Sequence, residues 1–213
     1  MTPEKQSRRS ATVLRHDTLE AALVDAAEAV IAADGLFALR ARALAERVGC
    51  SVGAIYSVFP DLDAVILAVN ARTLAQIDRA MRDGAMDDAA ATAEPVAHLV
   101  GLATAYLDYA AGARRRWAAL FLHTMGGGRT APEWYARQQA AAFSHVEAPL
   151  GRLCPMLPPA ERASLARGLF SAVHGMVALG LDEKVAAMSL AALREQVATI
   201  AAAAARGLAH GER

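Results

Sequence analysis

The sequence predicts an all-α protein of about nine helices, and three observations carry that prediction. Alanine makes up about a quarter of the 213 residues and aromatic residues only 5%, a composition that favours helix over strand. Apolar residues recur at three- and four-residue spacing, and no stretch alternates with the two-residue period of a half-buried strand. Glycine and proline fall at intervals that cut the chain into helix-length pieces.

Residues 1–16 read as a flexible arm, polar and basic. A first helix then runs from Leu19, with Asp17 as its cap, Leu23, Ala26, Val30, Ala33 and Phe37 on its apolar stripe, and Gly35 as its stop. A second covers about 40–48 and ends at Gly49. A third starts after Ser51 and ends before Pro60. A fourth begins near Asp61, carries Val65, Ile66, Val69, Leu74, Ile77 and Met81 on one side, and closes at Gly84. Residues 84–94 read as a linker. Pro95 suits the first turn of a fifth helix, which Gly112 breaks. A sixth covers about 113–124, before the Gly126-Gly127-Gly128 loop. The seventh spans roughly 132–153, the eighth 160–181 and the ninth 189–208.

Composition excludes several classes. There are 22 basic and 22 acidic side chains, for a net charge of zero, which argues against a polybasic protein or an acidic disordered tail. Cys50 and Cys154 stand far apart in the sequence, with neither metal-ligand spacing nor a disulfide framework, so a reducing cytoplasm is the expected compartment. The start MTPEKQSRRS lacks the apolar core of a signal peptide. The most apolar stretch, 164–181, contains Arg167 and His174 and reads as a buried helix rather than a membrane span. His123, His145 and His174 bring no paired carboxylate at ligand spacing, and neither a metal nor a cofactor is expected. No nucleophile motif is present, so an enzyme reading has no positive support.

One constellation is specific. Residues 39–59 read LRARALAERVGCSVGAIYSVF. Ala45 is small where two short helices must approach, Gly49 can take the left-handed conformation of a tight turn, and Ser51 can cap the helix that follows. Leu44, Val48, Ile55 and Phe59 point to a shared core. This is the pattern of a helix-turn-helix, whose second helix enters the DNA major groove.

Residues 17–70 resemble the N-terminal domain of the TetR/AcrR family of transcriptional regulators. The resemblance rests on the first-helix stripe ending at Gly35, on Leu44-Ala45, and on the block GCSVGAIYSVFPD at 49–61. His174-Gly175 is similar to the Trp-His-Gly motif of one C-terminal subgroup, with Val173 in the tryptophan's place. The resemblance implies a head at 1–60, including the arm, and a ligand-binding and dimerising body at 61–213. It implies a homodimer reading a palindromic operator in double-stranded DNA, and release of a repressor by a small hydrophobic effector. Two positions depart from the family pattern. Arg40 stands where many members have a Ser or Thr cap, and Leu62 where many have a lysine that touches the DNA backbone.

Charge and chemistry narrow the expected interface. The arm carries four basic residues against one acidic residue, and residues 17–35 carry five acids and no base. The expected DNA contacts are Arg8 and Arg9 of the arm, Arg40 and Arg42, and the turn and third helix through Ser51, Val52, Gly53, Tyr56 and Ser57. By resemblance, Tyr56 bonds a phosphate. That face has no Arg, Lys, Asn or Gln for bidentate base contacts, so readout should lean on apolar contacts and DNA shape. In the body, Tyr106, Trp117, Phe121, Phe143, His174 and Met176 are the expected ligand contacts, with His174 either the polar anchor or a core histidine bonded to a backbone carbonyl. Helix nine carries Leu190, Leu193, Val197, Ile200, Ala204 and Leu208 on one stripe, with Val197 expected at the dimer axis. The alternative is a helical dimeric sensor that does not bind DNA specifically.

Overall fold

The computed structural model describes residues 3–86, 94–182, 184 and 188–211. Among them are nine α-helices and no strand: α1 Pro3–Asp34, α2 Ala41–Val48, α3 Val52–Val58, α4 Leu62–Met86, α5 Pro95–Gly112, α6 Arg114–Leu122, α7 Glu133–Leu153, α8 Pro159–Gly180 and α9 Leu190–Gly211. Single 3-10 turns occupy Leu36–Ala38 and Gly126–Gly128. No single helix among the described residues is long and apolar enough to cross a membrane.

The first helix differs from expectation. It begins at Pro3, so the backbone expected as a flexible arm is helical, and Asp17 lies exposed within the helix instead of capping it. The reason is local: no proline or glycine interrupts residues 4–34, and Pro3 is tolerated in a first turn. Its buried face is Leu23, Val24, Ala27 and Ile31. Phe37, expected on the same stripe, stands 70% exposed on the 3-10 turn that follows Gly35.

The chain forms two compact units. The first is Met1–Thr73 with Arg115–Ala131, and the second is Leu74–Arg114 with Pro132–Arg213. Helix α4 runs unbroken through the division. The core of the first unit joins α1, α2, α3, the start of α4 and Ala119 of α6. Leu62 packs against this core, so the position where the family pattern has a DNA-contacting lysine serves packing. In the second unit, α9 packs against α5 and α8. At Gly180 of α8 a Cβ would lie 2.4 Å from Leu193 Cδ1, so glycine permits that approach of the two helices.

Helix α9 has two apolar faces. Leu193, Val197, Ala201 and Ala205 turn inward, with Val197 fully buried, while Leu190 and Ile200 stand 49% and 45% exposed. Val197 therefore belongs to the protomer's own core and not to an open dimer face. Periodicity alone could not say which apolar face points inward.

Candidate nucleic-acid interface and effector cavity

The helix-turn-helix is built as its residues require. Gly49 takes φ 74° and ψ 35°, the left-handed region in which a side chain would be strained. The Cys50 N–H donates to the Ala45 carbonyl at 3.0 Å. Ser51 Oγ accepts from the Ala54 N–H at 3.1 Å and caps α3. Ile55 and Phe59 are buried, which leaves Val52, Gly53, Tyr56 and Ser57 exposed, Tyr56 by 48%. Four of the expected contact residues thus share one open face.

The flanking polar groups are partly engaged. Arg40 occupies the cap position of α2 without a side-chain cap bond. Its guanidinium donates instead to the Phe37 and Leu39 carbonyls at 2.5 and 2.9 Å, closing the 3-10 turn. Arg42 lies 3.9 Å from Glu46 in an exposed pair. The Ser57 hydroxyl donates back to the Ala54 carbonyl at 2.7 Å. The side chains of Arg8 and Arg9 lie outside what is described.

Charges from distant sequence correct the balance of the head. Arg72 of α4 bonds Asp25 at 2.5 Å and Glu28 at 3.1 Å, and Arg116 of α6 bonds Glu28 at 2.7 Å. Burial works to raise the Glu28 carboxyl, but the two guanidiniums outweigh it and hold the group below its ordinary value. Two of the six acids on α1 are therefore neutralised by ion pairing. No local sequence signal pairs residues so far apart.

A second network fixes the glycine loop to the start of α4. Asp61 Oδ1 accepts from the Ala64 N–H at 2.8 Å, and Asp63 Oδ2 accepts from the Gly126 N–H at 2.9 Å. His123 Nε2 lies 3.1 Å from Asp63 Oδ1. Arg129 bonds Asp61 at 2.6 Å and Asp63 at 2.7 Å. The Gly126 N–H, then His123, hold the Asp63 carboxyl below its ordinary value. Asn70 of α4 is buried facing α6. Its Nδ2 reaches the Ala119 carbonyl at 3.5 Å, and its Oδ1 has no hydrogen-bond partner.

The second unit forms a half-open cavity of about 50 Å³. Its lining includes Met81, Leu99, Tyr106, Val146, Phe170 and Val173, drawn from α4, α5, α7 and α8. Tyr106 Oη lies 2.9 Å from His174 Nδ1. Burial pushes the His174 imidazole below its ordinary value, so it is neutral at physiological pH. Phe170 joins the aromatic groups: it meets Tyr106 and Phe143 edge-on, each with centroids 5.2 Å apart, and stacks on His174 at 5.8 Å.

Three of the six expected ligand contacts, Tyr106, Phe143 and His174, therefore gather around Phe170. Met176 is half-buried elsewhere on α8. Trp117 and Phe121 belong to the first unit, where their rings pair at 5.4 Å. A Cβ at Gly175 would meet nothing within 4 Å, so no neighbour in the protomer presses on it. Sequence reasoning missed Phe170 as a hub. Its position four residues before His174, on the same helix face, was the available signal.

Comparison with known proteins follows this geometry closely. Residues 23–69 match the model of bacterial regulatory proteins of the tetR family, and residues 99–204 match that of the tetracyclin repressor-like C-terminal domain. The chain belongs to the TetR family of transcriptional regulators. Similar solved structures include a TetR-family regulator from Streptomyces coelicolor, with TM-score 0.61 and 17% identity over 91% of this chain and 87% of that one. The TetR-family regulator PfmR from Thermus thermophilus gives TM-score 0.55 and 16% identity over 90% and 98%. RolR in complex with its ligand resorcinol gives TM-score 0.65 and 15% identity over 92% and 95%. At such identities these three speak to the fold alone. No curated protein matches the chain. This TetR-family chain is a DNA-binding transcriptional regulator.

Proposed function

We propose that the protein is a homodimeric, non-enzymatic, cytoplasmic repressor that a small hydrophobic effector releases from a palindromic operator. The observation that carries the DNA-reading part is the Ser51-capped α3, which buries Ile55 and Phe59 while exposing Val52, Gly53, Tyr56 and Ser57. Gly53 lets the backbone approach closely, Val52 suits a thymine methyl, and the Tyr56 hydroxyl reaches a phosphate. Arg8, Arg9, Arg40 and Arg42 add sequence-independent attraction. The exposed apolar residues Leu179, Leu190 and Ile200 of α8 and α9 support a dimer face, whose two-fold axis sets the half-site spacing. The apolar cavity with its Tyr106–His174 pair supports effector binding, and RolR supplies a precedent for a small aromatic ligand in a similar fold.

In this reading the effector binds one body conformation better than the other, and DNA binds the opposite one. Its power over the operator is bounded by that difference in affinity. The decisive experiment is fluorescence anisotropy on DNA from upstream of the chain's own gene. Specific binding is expected. Tyr56→Phe should weaken it about tenfold, the equivalent of one lost hydrogen bond, on all sequences alike. Its salt slope should stay the same, because the hydroxyl neutralises no phosphate, whereas Arg42→Ala should flatten the slope by about 0.9 per subunit. Equal affinity for upstream and random DNA would overturn the operator assignment.

A further inference from the structure

We propose that the cavity selects uncharged, single-ring aromatic compounds bearing a hydroxyl group, and rejects their carboxylate or phenolate counterparts. This rests on the effector-binding reading above and goes further, by assigning the charge and size of the ligand.

The first argument is chemical. Of the ten lining residues, Tyr106 alone carries a polar side chain, and none is charged. Its hydroxyl is joined to His174 Nδ1 at 2.9 Å. A ligand hydroxyl both donates and accepts, so it can bond to this pair whichever of the two groups holds the shared proton. An anion gains nothing equivalent. It would lose its hydration in an apolar wall with no cationic side chain among the lining residues, and an unpaired buried charge is strongly disfavoured.

The second argument is size and shape. A cavity of about 150 Å³ is known to hold benzene, so a cavity of about 50 Å³ admits one ring only when a side chain yields. Met81, with its flexible thioether stem, and the half-buried Phe170 are the wall elements free to do so. Phe170 already meets Tyr106, Phe143 and His174 edge-on or stacked. A flat ring entering there finds aromatic edges and faces at favourable separations. A fused-ring or long-chain lipophile exceeds this volume further and needs a correspondingly larger displacement of the wall.

The test is calorimetric titration of the full-length chain with phenol, benzyl alcohol, benzoate and toluene. Phenol or benzyl alcohol should bind saturably, benzoate at least 100-fold more weakly, and toluene about tenfold more weakly than phenol. Across the pH range in which 4-nitrophenol ionises, its affinity should fall tenfold per pH unit above its own pKa. Tyr106→Phe should remove the advantage of phenol over toluene while leaving toluene binding intact, a readout that separates a lost contact from a lost fold. Benzoate binding as tightly as benzyl alcohol overturns the charge assignment. Toluene matching phenol overturns the hydroxyl's role. If none of these probes binds while some larger compound releases the chain from DNA, the size class is wrong and effector sensing survives. If phenol binds without altering DNA affinity, sensing through this cavity fails and the ligand class stands.

Discussion

Asp63 offers the sharpest test of how the first unit is held together. Asp63→Asn keeps the shape and removes the charge. In the native chain the carboxylate accepts from the Gly126 N–H at 2.9 Å and from the exposed Arg129 guanidinium at 2.7 Å, and pairs with His123 at 3.1 Å, with its side chain about one-fifth exposed. Hydrogen bonds to a charged group contribute about 1.5–3 kcal/mol each. The amide oxygen retains one neutral bond of about 1 kcal/mol, and partial exposure weakens the rest, so the expected loss is about 2 kcal/mol near pH 7. For a chain of this size that is a fall in Tm of about 4–8 °C. The pH dependence has a definite sign. The folded-state pKa of Asp63 lies below its ordinary value of about 3.9. Its contribution is therefore complete above that value and is lost as pH falls through the lower, folded one. Urea unfolding of both proteins, from pH 7 down to the lowest pH at which they stay folded, should show curves that converge in acid. A constant gap at every pH, or none at pH 7, would refute the reasoning.

Ile200→Arg should yield a folded monomer in sedimentation velocity, because Ile200 is 45% exposed in the protomer and a charge there is buried only on association; a surviving dimer would rule out this face. Val197→Arg, at a fully buried position, should instead abolish the cooperative thermal transition followed by circular dichroism. Asn70→Leu removes the unpartnered Oδ1 at the cost of a weak 3.5 Å bond, so calorimetry should find stability unchanged or raised by about 1 kcal/mol; a large loss would mean that the amide is satisfied in solution.

The parts that were legible in the sequence are those whose causes are local. Gly49, Ser51, Ile55 and Phe59 lie within eleven positions, and each acts through backbone geometry or a short-range bond. Pro95 marks the start of α5 for the same reason. The start of α1 was misread because an acidic residue at 17 and a basic segment before it look like a boundary, although nothing there breaks a helix. The cavity was half legible. Tyr106, Phe143 and His174 announce themselves by chemistry, but Trp117 and Phe121 show the same chemistry and belong to the other unit. Only tertiary packing separates the two groups, and helical period carries no information about it.

Charge on the head shows most clearly why a count along the chain falls short of a physical account. Summed over residues 1–60, the head looks neutral and poorly suited to a polyanion. Asp25 and Glu28, however, are answered by Arg72 and Arg116, which lie beyond that stretch. At a screening length of about 8 Å in physiological salt, these compensated acids contribute little at the surface of α3. In the proposed reading Arg42, Arg47 in the last turn of α2 and the basic residues before Asp17 would then act on a phosphate backbone with less opposition than the sum implies. The same geometry limits what they can specify. Arg40 already closes the turn at Phe37 and Leu39, Ser57 is bonded to its own helix, and α3 carries no charged side chain. Under the proposed operator reading, attraction and sequence discrimination would fall to different groups: arginines outside α3 would supply the first, and Val52, Gly53 and the deformability of the operator the second.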